Sequence, residues 1–182
     1  KLTTGYNIGI RENEILNADV IEPSKSKKKI VKDAEIHISK KKKLPNVVII
    51  ITGGTISSRL DSKTGAVIPT ATPEDIINIA PEITSICNLI AIKTPFMKLS
   101  GNMDSSDWKE IAKTCLPYLN NSEIDGIIIT HGTDTLHYTS AALSFFIKDL
   151  NKPIALTYSQ KSIDRGSTDA NLNLICSAKY AT

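Results

Sequence analysis

From Pro45 onward, apolar and polar positions along the chain fall into two alternating textures. VVIIIT (47–52), NLIAIKTPF (88–96), GIIIT (126–130) and PIALT (153–157) are short, nearly continuous apolar runs. Such runs read as strands covered on both faces. Between them, apolar residues recur at three- and four-residue spacing, the pattern of helices with one buried side. TPEDIINIA carries a helix start, with Thr72 as N-cap, Pro73 at the first helical position and Asp75 three residues after the cap. SSDWKEIAKTCLPYL follows with a serine cap and a stripe of Trp108, Ile111, Ala112 and Cys115. LHYTSAALSFFIKDL predicts a long helix with Leu136, Leu143, Phe146 and Leu150 on one side, and Phe145 and Phe146 read as core. STDANLNLICSAKY opens a fourth helix, inside which the chain stops, and Asp169 reads as a first-turn residue matched to that helix's dipole. Strand alternating with helix predicts an α/β fold, a mostly parallel doubly wound sheet with helices on both faces.

Residues 1–44 have a different texture. GYNIGI, ADVIEP and AEIHIS are short strand-like segments separated by turn residues and lysines, with no helical period. They predict the end of a small β domain followed by a lysine-rich linker, ahead of the α/β domain at 45–182. Charge sharpens that boundary. Residues 1–43 hold eleven Lys/Arg against six Asp/Glu, and the remainder holds eleven against thirteen. KSKKK (25–29) and KKKK (40–43) supply the excess, either as a patch for phosphate backbone or as a solvated linker.

Composition excludes some classes of protein. No window approaches eighteen uninterrupted apolar residues, and KLTTGYNIGI lacks the apolar core of a secretory signal, so no membrane span is expected. Cys87, Cys115 and Cys176 are far apart and unpaired in spacing, which suits the reducing cytoplasm rather than a disulfide framework or a zinc knuckle. His37, His131 and His137 form no zinc-binding pattern, so no metal is expected, and His131 reads as a residue that shapes its loop.

Two strands deliver the chain to unusual ends: VVIIITGGTIS at 47–57 and GIIITHGTDT at 126–135. In open α/β sheets ligands sit beyond the carboxyl ends of the strands, where both motifs lie. Glycines there allow close backbone approach, and the start of the helix after HGTDT favours a carboxylate or oxyanion. Taken alone, Thr133 or Asp134 is equally an N-cap and TGGT equally a tight turn. Neither G-x-G-x-x-G nor G-x-x-x-x-G-K-[ST] occurs, so nucleotide binding has little support. Two hydroxyls and one carboxylate on separate strand ends suit acyl transfer, in which a threonine is activated by a neighbouring base.

TGGTI (52–56) paired in order with THGTDT (130–135) resembles the signature of the L-asparaginase/glutaminase family. SRLDSKTGAVIPTATPEDI, SGNMDSSDW, HGTDTLHYTSAALSF and SIDRGSTDANLNLI resemble one branch of it, the D subunits of archaeal Glu-tRNA(Gln) amidotransferases. The resemblance runs from residue 5 to 182. It implies Thr55 as nucleophile toward a side-chain amide, Thr133 as second catalytic hydroxyl, Asp134 as holder of the substrate's α-amino group and Ser100 as a contact to its carboxylate. It also implies glutamine or asparagine as amide donor and no cofactor on this chain. The partner would be a subunit using ATP and Mg to activate glutamate on tRNA(Gln), and the branch implies a homodimer. The family's catalytic lysine and second domain are expected past Thr182, so these residues alone should be slow by about 10²–10⁴-fold. Gly101 stands where the family has Glu or Gln, and Tyr158-Ser159-Gln160-Lys161 stands where it has Gly-Ala-Gln-Arg. A free-standing cytosolic asparaginase and an inert docking module are the alternatives.

Overall fold

A computed structural model describes residues 43–182 apart from 62–64 and 70–71. The expected β domain and most of its lysine-rich linker lie outside the described residues. Among the described residues, six strands and five α-helices run in the order β1 (Asn46–Ile51), β2 (Ser58–Leu60), β3 (Val67–Pro69), α1 (Pro73–Ile79), α2 (Ile83–Ile86), β4 (Asn88–Lys93), α3 (Ser105–Leu119), β5 (Gly126–Thr130), α4 (Leu136–Phe146), β6 (Ile154–Thr157) and α5 (Ala170–Tyr180). Strands β4-β1-β5-β6 form one sheet, parallel throughout, and β2-β3 form a separate antiparallel hairpin.

The apolar runs of β1 and β5 are buried from end to end because both faces of the sheet are covered. Val47, Ile49 and Ile51 of β1 pack with Ile128 against α1, α2 and α5, through Ile76, Ile83, Ala170, Leu174 and Ala178. Val48 and Ile50 face the other way with Ile127 and Ile129, against Ile111, Ala112 and Cys115 of α3 and Leu143 of α4. On β4 the alternation slips. Val47 pairs with Leu89 but Val48 with Ala91, so Ile90 is an extra residue at a bulge. The slip lets Leu89 and Ile92 share one face although an even spacing would separate them from it.

Local sequence accounts for the helix starts, with two corrections. Thr72 caps α1 as expected: its hydroxyl accepts from the Asp75 N–H, and the Asp75 carboxylate accepts from the Thr72 N–H at 2.9 Å. The cap of α3 is Asp104 rather than a serine. Its carboxylate takes the Ser106 N–H at 2.7 Å, and Asp107 returns the contact to the Asp104 N–H at 3.0 Å. Helix α4 stops at Phe146 instead of running to Leu150. Leu143 and Ile147 enter the core, whereas Phe145 is 78% exposed, and Phe146 and Leu150 also face out. Phe145 and Phe146 lie on the outward side of the helix and Leu150 beyond its end, so the tail of the expected stripe never comes round to the sheet. Neither the hairpin nor the short helix α2 is evident from periodicity, each being too brief to show one.

Ile128→Ala, in the sheet's middle, is expected to cost about 2–5 kcal/mol in urea unfolding. Phe145→Ala, although a larger truncation, should stay within about 0.5 kcal/mol. Equal losses would contradict this division of core from surface.

Candidate active site

The two strand ends meet at the place where the sheet's winding reverses. From β1 the chain crosses through α1 and α2 to β4 on one side, and from β5 it crosses through α4 to β6 on the other. Their outgoing loops therefore diverge and leave a crevice at the carboxyl ends of β1 and β5. The Thr52-Gly53-Gly54 segment fills its floor, bonded on both sides. Toward β5, the Thr52 N–H and hydroxyl both donate to the Thr130 carbonyl, at 3.3 and 2.7 Å. Toward the loop after β4, Lys98 N–H donates to the Thr52 carbonyl at 3.0 Å and Gly54 N–H to the Lys98 carbonyl at 3.1 Å.

Both glycines are required by this enclosure. Gly53 and Gly54 have φ of 117° and 76°, where a side chain is strained. A β-carbon on Gly54 would lie 2.4 Å from the Gly132 nitrogen, and one on Gly132 would lie 2.5 Å from the Ser100 hydroxyl. Gly54 is thus stacked on Gly132 backbone to backbone, and the Ser100 side chain lies on Gly132. Thr55 follows one glycine, Thr133 and Asp134 follow the other, and Ser100 covers it. Thr135 adds a hydroxyl donated to the Ser100 carbonyl at 2.8 Å. The structure brings all four candidate residues to one sheet end. Thr55 opens a 3-10 turn that Ser57 N–H and the Ser58 hydroxyl close on the Gly54 carbonyl, at 3.0 and 2.7 Å. The Thr133 hydroxyl donates to the Asp134 carboxylate at 3.2 Å. Neither residue caps α4, whose N-cap is Thr135.

His131 is fully buried behind this turn. Its Nδ1 lies 2.8 Å from the Gly132 carbonyl and its Nε2 2.8 Å from the Thr139 hydroxyl. A carbonyl only accepts, so Nδ1 carries the proton, and in the neutral ring Nε2 accepts from Thr139. Burial pushes the His131 pKa below its usual 6.5, against the Gly132 carbonyl that works to raise it. The neutral ring thus ties the turn to the first coils of α4, a shaping role.

A cleft of about 310 Å³ opens beside the turn, lined by Thr55, Val67, Gln160, Lys161, Ser162, Arg165 and Ser167. Of the four candidates it takes Thr55 alone. Its other walls come from the β2–β3 hairpin and the loop after β6, which the sequence marked only by its departure from the family pattern at Tyr158-Ser159-Gln160-Lys161. The position of that loop beyond a strand's carboxyl end was the available signal. Asp169 organises it from the N-cap position of α5, at the helix start as expected: its carboxylate takes the Gln160 N–H on both oxygens at 3.0 Å and the Lys161 N–H at 3.2 Å. Burial works to raise the Asp169 pKa, but these N–H groups outweigh it and hold the carboxyl below its ordinary range. Tyr158 is accommodated by turning outward, and Asn173 Nδ2 donates to its carbonyl at 2.8 Å. Gly101 leaves open space, since a β-carbon there would meet nothing within 4 Å.

Cys87 and Cys115 are buried thiols pushed up to about 11 and about 12, which keeps them protonated and unreactive. Among the described residues no group of three His, Cys, Asp or Glu side chains is placed to hold a metal, and no helix is long and apolar enough to cross a membrane.

The His131 environment gives a pH test. Below about pH 6.5 the unfolded chain takes up a proton at His131 that the folded chain resists. Stability should therefore fall between about pH 7.5 and 5.5, and His131→Gln should flatten that slope in urea titrations. A slope equally steep in the variant would mean that another group carries it.

Residues 46–182 match the family model described as asparaginase, N-terminal. The whole chain is 46% identical to the D subunit of the Pyrococcus horikoshii glutamyl-tRNA(Gln) amidotransferase and 45% identical to its Pyrococcus furiosus counterpart. It spans 41% and 40% of the lengths of those relatives. The thermostable L-asparaginase from Thermococcus kodakarensis superposes with a TM-score of 0.66 at 33% identity, over 75% of this chain and 40% of that one. With a parallel sheet of this order, and TGGT and HGTDT stacked at its switch point, the chain belongs to the asparaginase family through its N-terminal domain.

Proposed function

We propose that this chain is the amide-cleaving part of an amidohydrolase subunit that supplies ammonia for tRNA-dependent amidation. The observation that carries the reading is the stacking of Gly54 on Gly132, which sets Thr55 and the Thr133–Asp134 pair on either side of one backbone contact. In the proposed reaction the Thr55 hydroxyl attacks the side-chain amide of glutamine or asparagine. Ammonia leaves, and water resolves the acyl-enzyme. Thr133 is the second hydroxyl of the site, Asp134 holds the substrate's α-ammonium group and Ser100 contacts its carboxylate. Oriented N–H groups at the strand ends would stabilise the oxyanion.

The relatives' shared name supports the wider assignment. Ammonia would pass to a partner subunit that uses ATP and Mg to activate glutamate on tRNA(Gln), and no cofactor would be held by this chain. The subunit would act in the cytoplasm as a homodimer. Residues 1–44 would form the end of a small β domain and its basic linker, and 45–182 the α/β domain. Because the chain spans about two fifths of its relatives, the activity is proposed for the full-length subunit, with the base that activates Thr55 supplied by a lysine outside these residues.

The test is ammonia release by the full-length subunit with glutamine and with asparagine. Thr55→Ala should lower the rate by about 10³-fold or more without altering thermal unfolding. Release that survives this substitution would remove Thr55 from the chemistry, and no release by the unsubstituted subunit would favour the docking-module alternative.

A further inference from the structure

The cleft beside Thr55 is walled by two segments far apart in sequence: the turn and hairpin that supply Thr55 and Val67, and the loop after β6 that supplies Gln160, Lys161, Ser162, Arg165 and Ser167. Each is secured on its own account. The Thr55 turn closes on the Gly54 carbonyl, and the loop is gathered by Asp169. The hairpin is the weaker element. Strands β2 and β3 have three residues each, pair with one another and join no larger sheet. A two-stranded hairpin of that size is marginal in water. Something must hold it at the cleft.

Ser58 of β2 is tied to the Thr55 turn through the Gly54 carbonyl, and two further holding contacts come from the opposite wall. Ile163 N–H donates to the Ser58 carbonyl at 3.2 Å, and the Leu60 N–H donates to Asp164 Oδ2 at 2.8 Å. The second carboxylate oxygen, Oδ1, accepts the Ser162 hydroxyl at 2.6 Å. Ser162 and Ile163 are buried, so the carboxylate is presented from a firm base although Asp164 itself faces solvent. On the hairpin's other side, Arg59 pairs with Asp75 of α1, an exposed contact that contributes little.

We propose that Asp164 is a positioning residue that latches the β2–β3 hairpin to the loop after β6 and so fixes the width of the cleft at Thr55. Its hydrogen bonds, the Ser162 hydroxyl first and then the Leu60 N–H, hold its carboxyl below the ordinary range, which keeps it ionised as a strong acceptor. The latch acts on the wall of the cleft and leaves the Thr55 turn to its own bonds. On the proposed reaction it should therefore govern substrate retention more than bond making. That functional half rests on the reading of Thr55 given above; the structural half does not.

The experiment compares Asp164→Ala, Asp164→Asn and Ser162→Ala in the full-length subunit, by hydrogen exchange and by ammonia release from glutamine. Alanine should speed exchange of the Leu60 amide by about tenfold. It should also raise KM several-fold with kcat within about twofold. Asparagine should restore both, because its carbonyl oxygen accepts the Leu60 N–H and its amide donates to the Ser162 oxygen. Ser162→Ala, which frees the carboxylate to turn, should give a smaller change of the same kind. Unchanged exchange at Leu60 in Asp164→Ala would overturn the latch, as would a loss confined to kcat or a failure of asparagine to rescue. If the unsubstituted subunit releases no ammonia the reaction assignment fails, and exchange at Leu60 still decides the latch.

Discussion

Everything at the candidate site depends on one close approach, that of Gly54 to the backbone of His131 and Gly132. A β-carbon at Gly54 would stand 2.6 Å from the His131 carbonyl carbon and closer still to Gly132, distances that no side chain tolerates. Because nothing intervenes, the residues after each glycine start from one backbone contact instead of being held apart by packing. The same economy recurs at Gly53, against which the Lys98 carbonyl would lie 2.2 Å from a β-carbon. The floor of the crevice at this end of the sheet is thus built from main chain.

This approach is possible because the sheet behind it is rigid. Strand β1 is paired on both sides, with β4 and β5, and its residues alternate between two separate apolar clusters. One cluster is closed by α1, α2 and α5, the other by α3 and α4. The bulge at Ile90 adjusts β4 to that alternation, keeping large side chains on the correct faces of a strand whose spacing is otherwise out of step. Beyond Ile51 the pairing continues through Thr52 to Thr130 and to Lys98. Main-chain order is carried in this way from the core into the turn that holds Thr55. His131 continues it on the β5 side, where a neutral buried ring links the turn to α4.

Much of this is legible in the residues. The strands announce themselves because runs buried on both faces leave no polar positions, and the Thr72-Pro73-Asp75 cap is readable because capping chemistry is local. The meeting of TGGT and HGTDT follows from the rule that ligands gather at strand carboxyl ends. What sequence obscures is set by distant partners. Phe145 and Phe146 look like core, yet both lie in the last turn of α4 on its outward side. Asp169 stands at the start of α5 as its position suggests, but the hold of its carboxylate on the N–H groups of Gln160 and Lys161 is not readable from spacing. Asp104 caps α3 where a serine is expected, since residue type alone does not say which polar residue stands at the boundary. The cleft walls joined by Asp164 and Leu60 lie 104 positions apart, and no local pattern signals such a pairing.

The central claim is that the glycine contact makes one site of two strand ends, with Thr55 as its reacting hydroxyl. The most direct measurement treats the full-length subunit with an electrophilic ketone analogue of glutamine and locates the adduct by peptide mass spectrometry. The account predicts modification at Thr55, lost when Gly54→Ala forces the two loops apart. An adduct on Thr133 with Thr55 untouched, or labelling of Thr55 undiminished by Gly54→Ala, would contradict it.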